Sequence, residues 1–200
     1  MHLSTALLPL IVTTSTAYTL PVDCAPNGGI MTTPTYGTTG AIFTVCAQTT
    51  IHSSPSPIYT VLIDFHRYTA WNTFVYSVDV PANVSSAEDV YVGMPMTLHT
   101  FGLVPVVNST SDERITYLEP DSVPSFIGWR FDPGVLGGLL MQAEHVSLLL
   151  DLGDGTTKHI SWETYYGAGA LTVLALKGSL QKEFVDQARD LKARVEGLLS

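Results

Sequence analysis

Basic residues are scarce in this chain. Lys and Arg number 9 against 18 Asp and Glu, leaving a formal net charge of -9 at pH 7. Phosphate backbones are bound by clustered Lys and Arg, so this balance argues against a nucleic-acid partner. It does not demand a cationic substrate, because surface acids ordinarily just solvate. Charged residues of both signs reach only 14%, while apolar residues make up 46%, as in an ordered globular protein with a generous interior. Cysteine is nearly absent, with Cys24 and Cys46 alone. The six histidines are scattered, so no close metal-ligand spacing arises, and neither a metal nor another cofactor is implied. A phosphate-cradling glycine loop is missing too, since Gly134-Val-Leu-Gly-Gly138 lacks the Lys and the strand-to-helix setting. No Gly-x-Ser-x-Gly elbow occurs, which leaves a serine hydrolase without support.

The apolar run at the start, Ala6 to Val12, falls far short of the roughly 20 residues that span a bilayer, so no stable membrane anchor is expected. Followed by the small-residue pattern Ser15-Thr-Ala17, it makes residues 1–17 read as a secretory signal peptide. No Lys or Arg precedes the run, and the competing reading is a disordered or packed N-terminal arm. The first reading places the protein in the secretory pathway or outside the cell, the second in the cytoplasm. The sequons at Asn83 and Asn108 suit a secreted glycoprotein, although Ser and Thr are common enough here to produce chance matches. Cys24 and Cys46 would pair in an oxidising compartment. Alternatively, Cys46 is a small buried residue alternating with Phe43 and Val45, and Cys24 lies free.

The length of 200 residues suits one well-buried core rather than two. Residues 18–40, rich in Pro, Gly and Thr without a sustained period, read as an extended arm or linker. Residues 41–200 form the domain. Its first strand is the apolar, β-branched stretch Ala41 to Ile51; Pro55 and Pro57 then signal a helix start. Ile58, Val61, Leu62 and Phe65 recur at helical spacing, and Trp71 and Phe74 close a unit of two short helices. Further strands are expected at Val75 to Val80, Met94 to Phe101, Glu113 to Glu119 and Phe126 to Phe131. A hairpin, Gln142 to Leu152 and Thr157 to Tyr166 around Gly153-Asp-Gly155, brings the total to seven. Leu180, Phe184, Ala188, Leu191, Val195 and Leu198 then mark a long amphipathic helix, with mixed charges on its other faces.

Four stretches carry a family resemblance: Asp64-Phe-His-Arg-Tyr-Thr-Ala-Trp-Asn-Thr-Phe74, Ile127-Gly-Trp129, Ala143-Glu-His-Val-Ser-Leu148 with Glu163-Thr-Tyr-Tyr-Gly167, and Ala188-Arg-Asp-Leu-Lys-Ala-Arg-Val-Glu196. In order and spacing they resemble the SRPBCC superfamily (START and Bet v 1-like), in its polyketide cyclase/dehydrase-type branch. The resemblance implies an α+β helix-grip fold: a curved seven-stranded antiparallel sheet wrapped around a long C-terminal helix, with two short helices after the first strand. A ligand cavity would lie between sheet and helix. The N-terminal arm and a long loop from Gly102 to Asp112 depart from the pattern. The superfamily holds carriers, receptors, lipid-transfer modules and cyclases, so fold alone does not assign a function.

Strand alternation picks out the cavity-facing candidates. Trp129 shares a face with Ile127 and points inward, while Arg130 solvates. Met96 and Leu98 point inward and His99 outward. For the hairpin, a three-residue loop places His145 opposite Glu163, whereas a two-residue loop places it opposite Thr164. In the first register His145, Ser147, Ser161, Glu163 and Tyr165 share a face, and the resemblance implies that the Tyr165 position faces inward. His145 paired with Glu163 would be a general acid/base, and Tyr117 and Tyr165 would donate hydrogen bonds to a developing enolate. The same His–Glu pair would equally serve as a structural hydrogen bond fixing the hairpin. The catalytic set is therefore His145, Glu163 and Tyr165, and the substrate-binding set Trp129, Tyr117, Trp71, Met96, Leu98, Ser147 and Ser161. The expected function is that of a cofactor-independent, polyketide cyclase-like tailoring enzyme of secondary metabolism, fungal in the conjectured case. It would close or dehydrate an apolar oxygenated intermediate by acid/base catalysis. The alternative is a non-catalytic carrier of a hydrophobic ligand or lipid, and a third reading, a purely structural domain, predicts a cavity too small for any ligand.

Overall fold

A computed structural model describes residues 19–104, 107–134, 138 and 140–199. The segment read as a signal peptide, 1–17, lies outside the described residues. Seven antiparallel strands form one sheet: β1 (Ala41–Ile51), β2 (Val75–Asp79), β3 (Pro95–Val104), β4 (Val107–Glu119), β5 (Ser125–Phe131), β6 (Gln142–Asp151) and β7 (Thr157–Tyr166). Their spatial order is β1-β7-β6-β5-β4-β3-β2. Between β1 and β2 lie α1 (Pro55–Ile63) and a 3-10 helix (Phe65–Ala70); after β7 come the single turn α2 (Ala170–Val173) and the 23-residue helix α3 (Lys177–Leu199). This is the helix-grip arrangement expected from the sequence.

Each junction has a local cause. Pro55 sits at the start of α1, where the missing N–H costs nothing. Beyond the 3-10 helix, the Asn72 side chain accepts hydrogen bonds from the backbone N–H groups of Phe74 and Val75 at 3.0 and 2.8 Å, which launches β2. Trp71 packs edge-on against Tyr68, with ring centroids 4.9 Å apart. In the β6–β7 hairpin, Leu152 N–H donates to Thr156 O and His145 stands opposite Glu163. The loop is therefore the three-residue one.

The helix α3 lays its apolar stripe in the concave face of the sheet: Leu180, Phe184, Ala188, Leu191 and Val195 are all buried. It also covers the free edge of β1, which would otherwise expose unpaired backbone groups. Gln181 both donates to Cys46 O and accepts from Cys46 N–H, and Lys192 donates to Thr50 O.

Two parts of the chain are more ordered than their composition indicates. The stretch Gly102 to Asp112, expected as a long loop, is mostly strand: β3 runs on to Val104 and β4 begins at Val107. Its Asn, Ser and Thr residues gain strand geometry from pairing with β3, as where Thr100 Oγ1 meets Ser109 Oγ at 2.7 Å. The arm, described from residue 19, packs on the convex face of the sheet. Leu20 and Met31 cover Val146, Leu148, Ile160 and Trp162, and a Cys24–Cys46 disulfide ties the arm to β1. Strands β6 and β7 are consequently buried on both faces.

Candidate active site

The concave face, the inner side of α3 and the turn around α2 enclose a cavity of about 270 Å³, just below the roughly 300–1,000 Å³ of small-molecule pockets. Apolar side chains dominate its wall: Leu98 from β3, Trp129 and Phe131 from β5, Leu180 and Phe184 from α3. Among the described residues, Glu113, His145 and Glu163 share this wall with Tyr165, and no Lys or Arg contributes to it.

The strands set the geometry of these groups. His145 is held flat against Trp129, with centroids 4.1 Å apart and planes 7° from parallel, and its other side meets Phe184 at 5.2 Å. A ring nitrogen, Nε2, lies 3.1 Å from Ser161 Oγ. Deeper on the same face, Ser147 Oγ lies 2.6 Å from Nε2 of a second buried histidine, His159. Burial lowers both imidazoles, His145 to about 3 with a smaller push from His159, and His159 to about 4. Both are neutral across the physiological range.

Glu163 stands directly across from His145 on the neighbouring strand, but its carboxylate is engaged elsewhere. Tyr165 Oη donates to Glu163 Oε2 at 2.8 Å, and the Tyr165 ring stacks on Phe43 at 4.4 Å. Loss of hydration inside the cavity raises Glu163 to about 7, opposed by the Tyr165 hydrogen bond. Glu113, reached from β4, is raised well above the usual carboxylate range, first by burial and then by the negative charge of Glu163. Two carboxyls in one largely apolar cavity cannot both ionise cheaply, so charge on one favours the proton on the other.

No family model and no curated protein matches the sequence. Solved structures do match. The Zhui aromatase/cyclase from Streptomyces sp. R1128 superposes with a TM-score of 0.61 at 12% identity, over 78% of this chain and 95% of the other. A START superfamily protein from Mycobacterium smegmatis gives 0.56 at 17%, over 78% and 98%. Norcoclaurine synthase from Thalictrum flavum, in complex with dopamine and hydroxybenzaldehyde, gives 0.58 at 10%, over 79% and 89%. The chain shares the helix-grip fold of these structures.

Within that grip, the structure brings together His145, Glu163, Tyr165, Trp129 and Leu98 at the cavity wall. It does not join His145 and Glu163 in the hydrogen-bonded dyad considered from the sequence, because Ser161 and Tyr165 hold them apart. Ser147 and Ser161 lie on the expected face but below the wall, bonded to the two histidines. Trp71 and Met96 are buried in the apolar core beside α1 and do not reach the cavity wall. Tyr117 is turned away from the wall: a bulge between Ile115 and Tyr117 reverses the alternation of β4. Its ring packs on outward-facing Phe126 instead, at 5.9 Å. The same bulge leaves Glu113 and Ile115 inward. Glu113 went unassigned from the sequence, although it precedes inward-facing Ile115 by two residues, which is the signal that places it on the wall. His159 and Gln187 also went unassigned, although His159 precedes Ser161 by two residues on β7 and Gln187 follows Phe184 by three on α3.

Proposed function

We propose that this protein binds a small apolar, oxygenated molecule in the helix-grip cavity and promotes its cyclisation or dehydration by acid/base catalysis without a cofactor, in the manner of a polyketide cyclase. One observation carries this reading: Glu163, Tyr165 and neutral His145 converge on one enclosed, largely apolar cavity. A carboxyl raised to about 7 is half ionised at neutral pH and takes up or returns a proton with little driving-force penalty. The flat Trp129–His145 surface supports a planar ligand, and enclosure folds a flexible chain towards a reactive shape. His145, with its depressed basicity, serves as a neutral hydrogen-bonding group rather than the base. A cavity of about 270 Å³ has room for a small ligand, and its ionisable groups facing an apolar wall favour a ligand site over the purely structural reading. The disulfide favours an oxidising compartment, and both sequon residues, Asn83 and Asn108, are exposed as glycosylation there requires.

The test uses an oligo-β-ketone thioester as substrate and quenching of intrinsic tryptophan fluorescence as the binding readout. Wild type is expected to cyclise the thioester above its spontaneous rate, and Glu163→Gln to lose about 10²–10⁴-fold in turnover while still quenching. Binding without any acceleration by wild type would instead identify a carrier.

A further inference from the structure

Glu113 has no role in the reading above, and it is the least explained side chain in the cavity. It is only 5% exposed, and its Oε2 has no hydrogen-bond partner among the described residues. A buried polar atom left unpaired costs about 1–3 kcal/mol, a cost removed by any ligand that supplies the partner. No Lys or Arg among the described residues lines this cavity, and the neighbouring Arg114 is bound to Asp132 and Gly93 O, so Glu113 keeps its proton and acts as a donor. The missing partner is then an acceptor, such as a carbonyl oxygen.

We propose that Glu113 donates a hydrogen bond to the carbonyl oxygen of an enolisable ketone whose α-carbon lies against Glu163. This rests on the acid/base reading of the cavity and names its substrate class. The Glu163 carboxylate takes a proton from the α-carbon. The C–H electron pair becomes the new C=C bond, and the carbonyl π pair moves onto the oxygen, where the Glu113 O–H stabilises it. In ring closure the same enolate carbon attacks a second carbonyl of the chain, and the proton held by Glu163 passes to the alkoxide formed. Without a second carbonyl, the proton returns to the α-carbon. Glu163, whose carboxylate already accepts the Tyr165 O–H, takes the base role, and Glu113, whose Oε2 meets no donor among the described residues, keeps the proton. Around Glu113 the charged or titratable neighbours among the described residues are Glu163 and Tyr165 on β7, His145 on β6, Asp112 and Arg114 on β4 and Asp132 after β5, the last two paired with each other, with a Ser111 hydroxyl beside Glu113. On the wall, α3 adds only the uncharged Gln187 beside its apolar residues.

The experiment follows exchange of the α-hydrogens of 2-tetralone, a bicyclic ketone, in D₂O by proton NMR with the full chain. Wild type is expected to exchange faster than buffer, and Glu163→Gln to lose that acceleration. Glu113→Gln, whose amide still donates, should keep part of it, while Glu113→Leu falls to the level of Glu163→Gln. Folding of each variant is checked by its thermal transition. The wild-type rate should also fall at alkaline pH as Glu113 ionises, and that limb should vanish in Glu113→Gln, which has no proton to lose. If both Glu113 variants exchange like wild type while Glu163→Gln is inactive, the Glu113 assignment is overturned and the acid/base reading stands. If wild type exchanges no faster than buffer, the ketone assignment falls. If it also fails to accelerate thioester cyclisation, the acid/base reading falls with it.

Discussion

Trp129 fills two places at once: it is a wall of the cavity and the plate on which His145 rests. The imidazole is packed between Trp129 and Phe184, and its hydrogen bond to Ser161 sets its orientation. Truncating a buried aromatic costs about 3–5 kcal/mol, and Trp129→Ala is expected to lose that much stability in urea titrations. A second single-residue constraint lies at the tip of β3. Gly102 has φ +107°, and a Cβ added there would come within 2.6 Å of the Glu183 carboxylate. The Glu183 side chain can shift aside, but the backbone strain remains, so Gly102→Ala should destabilise by about 1–3 kcal/mol, read from the same titrations.

At the scale of elements, the arm is the covering layer of β6 and β7. It is fastened by the disulfide, by Trp162 Nε1 donating to Thr32 O, and by Glu144, fully buried, which accepts from Thr35 N–H and Thr35 Oγ1. Replacing Cys24 and Cys46 together by Ser frees the loop they close and is expected to lower stability by about 3 kcal/mol. Limited proteolysis should then cut within residues 19–40 before the strands. Glu144→Ala leaves the Thr35 N–H without its acceptor and should weaken the same attachment by about 1–3 kcal/mol, again visible as earlier cleavage of the arm. Neither change touches the cavity on the opposite face, so ligand quenching of fluorescence should persist.

For the whole molecule, the buried ionisable groups pull stability in opposite directions. His145 and His159 are lowered from 6.5 to about 3 and about 4. The unfolded chain binds their protons first, so their contribution is complete above pH 6.5 and is lost as pH falls through 4 and 3. Glu163 is raised from 4.5 to about 7, and Glu113 is raised well above the same starting value. There the folded state holds the proton, so the contribution is complete below pH 4.5 and is lost as pH rises through 7. Between 4.5 and 6.5 the two trends oppose each other. Thermal transitions recorded against pH should therefore fall on both sides of a broad plateau. Glu113→Gln should flatten the alkaline side and leave the acid side unchanged.

The order of elements was legible in the chain because each rests on local chemistry. Helical spacing of Leu180, Phe184, Ala188 and Leu191 marks α3, Pro55 and Pro57 mark α1, and Gly153-Asp-Gly155 with its flanking alternation marks the β6–β7 hairpin. The resemblance carried by these stretches pointed to the same grip, and strand alternation put Trp129, His145, Glu163 and Tyr165 on one face. What only the tertiary structure decided is which partner each polar group finds. A single bulge after Ile115 sends Tyr117 out, a one-residue displacement invisible to a period of two. Hydrogen bonds to Ser161 and Tyr165 separate His145 from Glu163, and the arm over the convex face becomes visible only when Trp162 and Val146 are seen to need cover. Local pattern determines which way a side chain can face. The identity of what it meets depends on residues far away in the chain, and those distances close only in the folded grip.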